Sequence, residues 1–142
     1  MADTIELEIV TPDRLLVREP VEQVQLPGKS GYLGILPGHA PLISELKSGE
    51  LSYRQGGSEY YLAVSWGMAE VLPERVTVLA DSAERPEEID VARAEAAKAK
   101  AEEALQKATH DLDYDATLKA LHRAEVRLQV AAHAGHTAAI AR

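Results

Sequence analysis

Pro27-Gly28-Lys29-Ser30-Gly31-Tyr32-Leu33-Gly34-Ile35-Leu36-Pro37-Gly38-His39-Ala40-Pro41-Leu42 decides the character of the N-terminal half of this chain. Four glycines and three prolines punctuate short apolar pairs within it. Glycine enters positive φ without steric penalty, whereas proline fixes φ and removes a backbone donor. The run therefore spells turn, short strand, tight turn. It holds no nucleophile and no ligand set, so a shape this narrowly specified suits docking to other proteins.

Working outward, the flanking sequence keeps a period of two up to about Ala80. Ile5, Leu7 and Ile9 face away from Glu6 and Glu8, Val24 and Leu26 alternate with Gln23 and Gln25, and Leu51 and Tyr53 alternate with Ser52 and Arg54. Tyr60-Tyr61-Leu62-Ala63-Val64 and Val76-Thr77-Val78-Leu79 are apolar throughout, as strands covered on both faces would be. Turn signals separate the runs at Pro12-Asp13, Pro27-Gly28, Pro37-Gly38, Gln55-Gly56-Gly57-Ser58 and Pro73-Glu74. Short strands at this spacing predict an all-β antiparallel sandwich or flattened barrel over residues 1–84.

Composition changes near Asp81, where Ala, Glu, Lys and Leu replace glycine and β-branched residues. Pro86 suits a first helical position, and Glu87, Glu88 and Asp90 place negative charge where the helix dipole favours it. The pattern predicts a C-terminal antiparallel α-helical hairpin over 85–142, with helices at about 87–109 and 114–132 and a frayed tail at 133–142. Asp113 is the expected cap of the second helix. The seam is poor: Val91, Ala94, Ala101, Leu105 and Ala108 would face Leu118, Leu121 and Leu128. A buried leucine is worth ~1.5–3 kcal/mol and an alanine much less. Two such helices cannot enclose a core, so the pair must lean on the sandwich or on a partner. A fixed appendage and one that detaches both fit.

Composition excludes several classes. Without cysteine there is no disulfide framework and no thiolate chemistry, which fits a reducing compartment. The start lacks a signal-peptide pattern, and no apolar run approaches the roughly 18 residues that span a bilayer. A net charge of −8 opposes nonspecific nucleic-acid binding. The five histidines lack metal-ligand spacing, so no metal is expected. Asp111-Leu112-Asp113-Tyr114-Asp115 has Ala116 and His122 where a calcium loop needs glycine and glutamate. Catalytic residues are therefore not assigned.

One charge pattern stands out. Lys119, Arg123 and Arg127 recur every four residues and form a basic stripe on the second helix of an acidic protein. The stripe fits an acidic partner surface, a solvated face, or pairing with the acidic first helix.

The opening run, extended through Leu46-Lys47-Ser48-Gly49-Glu50-Leu51, resembles the signature of the epsilon subunit family of bacterial F-type, proton-translocating ATP synthases. The likeness continues in Val76-Thr77-Val78-Leu79-Ala80-Asp81 and Ile89-Asp90-Val91-Ala92-Arg93-Ala94 and covers almost the whole chain in order. It implies a noncatalytic central-stalk subunit at the cytoplasmic face of the bacterial inner membrane. Its sandwich would join the gamma subunit to the c-ring, and its hairpin would restrain ATP hydrolysis by reaching the catalytic beta and the alpha subunits, with Lys119, Arg123 and Arg127 meeting beta. Lys29, Ser30, Gly31, Tyr32 and His39 would form the docking loop for c-ring and gamma, although many relatives carry an acidic residue where Tyr32 stands. No cofactor is required, but ATP enters as a regulatory ligand. Some epsilon subunits bind it through an Ile/Leu-Asp-x-x-Arg-Ala motif and two arginines, matched here by Ile89, Asp90, Arg93, Ala94, Arg123 and Arg127. Read without the resemblance, the same motif is only the first turns of a helix, with Asp90 pairing Arg93. The alternative function is a free-standing ligand-binding sandwich with a helical tail, for which Trp66 and five tyrosines are thin material.

Overall fold

A computed structural model describes residues 3–107 and 111–134. Eight strands precede two helices: β1 (Ile5–Thr11), β2 (Arg14–Val21), β3 (Gln23–Gly28), β4 (Gly31–Ile35), β5 (Leu42–Leu46), β6 (Gly49–Gln55), β7 (Ser58–Leu72), β8 (Arg75–Glu84), α1 (Val91–Lys107) and α2 (Asp111–Ala131). The sheet runs β2-β1-β8-β7-β5-β3-β4, with β6 joining β3 and β7. Pairing is antiparallel except where β1 lies parallel to β8. The expected sandwich followed by a helical hairpin is what the chain forms.

The period of two explains the core. Ile5, Leu7, Ile9, Val24, Leu26, Leu51, Leu62, Val64, Val71, Val76 and Val78 are buried in one cluster, from alternate positions of their strands. The opening run becomes the β3–β4 hairpin and the turn beyond β4, where Gly38 sits at φ +84 and its N–H reaches the Pro73 carbonyl (2.8 Å).

Closure depends on a bend. β6 pairs with β7 from Ser58 to Val64, and β5 continues the same register from Gly67 to Val71. Between these stretches both sides break, at Lys47-Ser48 and at Ser65-Trp66. Trp66 takes φ +58 and Gly67 φ +135. A Cβ on Gly67 would stand 2.1 Å from the Leu79 carbonyl oxygen, so only glycine fits. Ser48 and Ser65, both buried, meet hydroxyl to hydroxyl at the bend (3.3 Å).

The helices depart from expectation at their ends. Pro86–Glu88 form a 3-10 turn, Ile89 is extended, and α1 begins at Val91 rather than about 87. Asp90 caps it by accepting the N–H of Arg93 (3.0 Å), so the carboxylate serves the backbone rather than the guanidinium. α2 begins at Asp111, which leaves Asp113 inside the helix with its carbonyl accepting the Thr117 hydroxyl (2.7 Å). Ala108, Thr109 and the tail from 135 lie outside the described residues. No described helix is long and apolar enough to cross a membrane.

Candidate functional site

Two surfaces are built by this fold, and the first lies where α2 rests on the sandwich bend. Val126 and Val130 of α2 pack on Ala63 and Ile89, with Tyr61 and Ala131 at the margin. The continuous apolar run at 60–64 is thereby explained: Leu62 and Val64 face the core, whereas Tyr61 and Ala63 face α2. The run at 76–79 behaves differently, because Leu79 remains 55% exposed. Two buried valines contribute about 3–6 kcal/mol before ordering costs are subtracted. That is a small apolar interface for a 21-residue helix.

Polar contacts supplement it. Arg127 grips Glu84, the last residue of β8, through two parallel bonds (Nε to Oε1 2.8 Å, Nη2 to Oε2 3.0 Å). Bidentate guanidinium–carboxylate geometry of this kind adds direction to Coulomb attraction. His122 donates through Nε2 to the Ser48 carbonyl (2.8 Å), a backbone group that the bend leaves outside the sheet ladder. His133 bonds Glu50 (2.8 Å) and stacks on Tyr61 with ring centroids 3.5 Å apart. Burial pushes the Tyr61 hydroxyl above its ordinary pKa, with Glu59 and Glu50 adding to the effect. The Lys119 ammonium stands 5.3 Å from the centre of the Trp66 ring.

The basic stripe is thus divided. Lys119 and Arg127 are engaged by the sandwich, and Arg123 has no ion pair or hydrogen bond among the described residues. The pairing partner is β8, not the acidic first helix. Within the motif of α1, Ile89 and Ala94 are buried, Asp90 caps, and the Arg93 guanidinium is open to solvent. The seam is partly as read, with Ala94, Ala101 and Ala124 buried, but Val91 and Leu118 face solvent. Glu84, Glu50, His122 and His133 carry no motif. Their only sequence signal is the separation of the two histidines, eleven residues or about three helical turns, which repeats a helix face.

The second surface is the outer face of β5, β7 and β8. Ile43 is 68% exposed and Met68 41%, and Met68 sits directly across from Leu79. Leu36 and Tyr32 are likewise large and exposed. Lys29, Ser30, Gly31 and Tyr32 lie at the β3–β4 turn, where Lys29 pairs with Glu45 (3.0 Å) and the Tyr32 hydroxyl accepts the Glu50 N–H (3.1 Å). His39 is not part of that turn. It follows the far end of β4, roughly 15 Å of strand away, and its Nδ1 donates to the Ala40 carbonyl (2.7 Å). A strand, not a loop, connects the residues expected to form one docking loop.

This architecture matches known proteins along its length. A family model described as the beta-sandwich domain of the ATP synthase delta/epsilon chain covers residues 4–86, and one for its long alpha-helix domain covers 87–132. The chain belongs to the ATP synthase delta/epsilon chain family. An ATP synthase epsilon chain of Koribacter versatilis is 67% identical over 106 residues, covering 75% of each chain. ATP synthase epsilon chain 2 of Syntrophotalea carbinolica is 47% identical over 136 residues, 95% of this chain and 99% of the other. Among solved structures, a chain of the Euglena gracilis mitochondrial ATP synthase, in an OSCP/F1/c-ring assembly, superposes with a TM-score of 0.80 at 26% identity, covering 94% of this chain and 84% of that one. A chain of the Tetrahymena thermophila mitochondrial ATP synthase central stalk and c-ring shares the fold, with a TM-score of 0.67 at 12% identity over 89% of this chain and 96% of that one. The chain is therefore an epsilon-type central-stalk subunit of a rotary ATP synthase.

Proposed function

We propose that this subunit is a noncatalytic adaptor, with a sandwich that couples gamma to the c-ring and a hairpin that restrains ATP hydrolysis. One observation carries the adaptor role: Ile43, Met68 and Leu79 stand in solvent together on the outer β5–β7–β8 face of the sandwich. Exposed apolar patches of this kind mark interaction surfaces. A stalk partner such as gamma fits that face, and the β3–β4 turn, with Lys29 and Tyr32 outward, fits polar loops of a c-ring. Within such a complex the subunit sits at the cytoplasmic face of the inner membrane. Replacing Met68 and Leu79 with glutamate, outside the core, tests this. The variant should fold, by circular dichroism, and lose co-elution with gamma and the c-ring. Undiminished co-elution counts against this face.

The hairpin role rests on magnitude. Its apolar interface and one bidentate pair sum to a few kcal/mol, and couplings between sites run ~1–3 kcal/mol. A competing surface that takes Lys119, Arg123 and Arg127 can therefore draw the hairpin off, and acidic loops of the beta subunit have the matching charge. ATP would favour the folded position. Among the described residues Arg93 and Arg123 have no ion-pair partner, but Arg127 must exchange Glu84 for phosphate. Titration calorimetry of the isolated subunit with ATP should show heat that falls at least tenfold in affinity on Arg123→Ala. Absence of heat removes the nucleotide role and leaves the electrostatic brake standing.

A further inference from the structure

Three carboxylates border the seat of α2 on the sandwich, and one of them lacks a permanently charged partner. Glu84 of β8 is held by Arg127, and Glu59 of β7 by Arg54 of β6 (3.1 Å). A guanidinium stays charged at every pH that a protein meets. Glu50 of β6 has a different partner. Its only ion-pair partner among the described residues is His133, with Nε2 2.8 Å from Oε1 and both side chains less than a third exposed (29% and 19%).

The imidazole is fixed on two further sides. It lies flat on the Tyr61 ring, with an interplanar angle of 6° and centroids 3.5 Å apart. The His133 backbone N–H donates to the Val130 carbonyl (2.9 Å), which sets the residue just past the C-terminus of α2. A helix C-terminus attracts a cation, and so does the face of an aromatic ring. Glu50, Tyr61 and the helix end therefore each attract a positive ring at 133. The other charged groups that face it from the described elements are already matched, Glu59 by Arg54 and Arg127 by Glu84. His122, the second histidine of the seat, donates to the uncharged Ser48 carbonyl, so a proton there gains no opposite charge.

We propose that the His133–Glu50 clasp makes the seat of α2 respond to pH. Histidine is the side chain whose charge changes between about pH 5 and 8. Unprotonated, the ring offers Glu50 one N–H; protonated, it adds a full positive charge in the same geometry. Proton uptake therefore strengthens the seat, and the contribution is lost as the pH rises. Arginine in this place would hold α2 at every pH, whereas histidine grades the hold. Under the hairpin role proposed above, acidification draws the hairpin away from its restraining position. The response of the seat itself does not depend on that role.

Hydrogen exchange of the α2 amides in the full-length subunit reads the seat, once corrected for the intrinsic exchange rate at each pH. From about pH 6 to about pH 8, protection of α2 should fall about threefold to fivefold in the native chain, the scale of a partly exposed ion pair. Glu50→Gln keeps an acceptor without charge and should abolish the fall. His133→Arg should keep α2 protected at both pH values. Strands β1 and β8 serve as the internal reference. Constant protection of α2 in the native chain overturns the proposal, as does a fall shared by β1 and β8. An equal fall in Glu50→Gln also overturns it, because the response then belongs to another group. None of these results bears on whether the hairpin restrains hydrolysis.

Discussion

Glu88 shows how one residue can reverse what its neighbourhood advertises. Its carboxylate accepts three hydrogen bonds, two from Arg14 across 74 positions of sequence. Its pKa falls from 4.5 to about 2, chiefly through the Arg14 hydrogen bonds. The sign follows from linkage: a depressed carboxylate stabilises the fold above its ordinary pKa, and that contribution is lost as pH falls toward the folded value. Glu88→Gln should therefore cost on the order of 1 kcal/mol at pH 7, the upper range for a partly exposed pair. The deficit should shrink below about pH 4.5 and vanish near pH 2. Urea denaturation of both proteins at several pH values measures it, and a deficit constant from pH 7 to pH 3 contradicts the account.

At the scale of elements, strand signals were well preserved and helix ends were not. Alternation along β1, β3 and β6 needs only a core on one side, and every such position is buried as read. Pro86 with Glu87 and Glu88 reads as a helix start, yet a distant arginine captures Glu88. The chain then turns once in 3-10 form, breaks at Ile89, and restarts from Asp90. The bend of β7 was equally hidden. Trp66-Gly67 stands within an apolar run, and only the folded chain shows that both residues take positive φ and that the Leu79 carbonyl fills the place of a Gly67 Cβ. His122 became a partner of that bend through the Ser48 carbonyl, which no local spacing announces.

Across the whole molecule, the core cluster draws on β1 to β8 alone, and the α2 interface forms a separate, smaller cluster. Removing everything after Glu88 should therefore leave a folded sandwich that retains the Arg14 clamp. Circular dichroism should keep its β signal and a cooperative thermal transition, while hydrolysis by the assembled complex rises. A truncated chain that melts without cooperativity would show that the hairpin is integral to the core. The exposed Ile43–Met68–Leu79 face and the lightly held hairpin are consistent features of a part built to work inside a larger assembly.

Residue periodicity and turn chemistry by themselves determined the two-part architecture, since alternation and helical composition are local properties that packing reinforces. The basic stripe was visible for the same reason, as a four-residue repeat. Which of its members would be occupied was decided only by tertiary structure, because Glu84 and Trp66, the partners of Arg127 and Lys119, come from strands distant in sequence. The place where the hairpin joins its support was settled likewise, by an arginine on β2 whose reach no local pattern encodes.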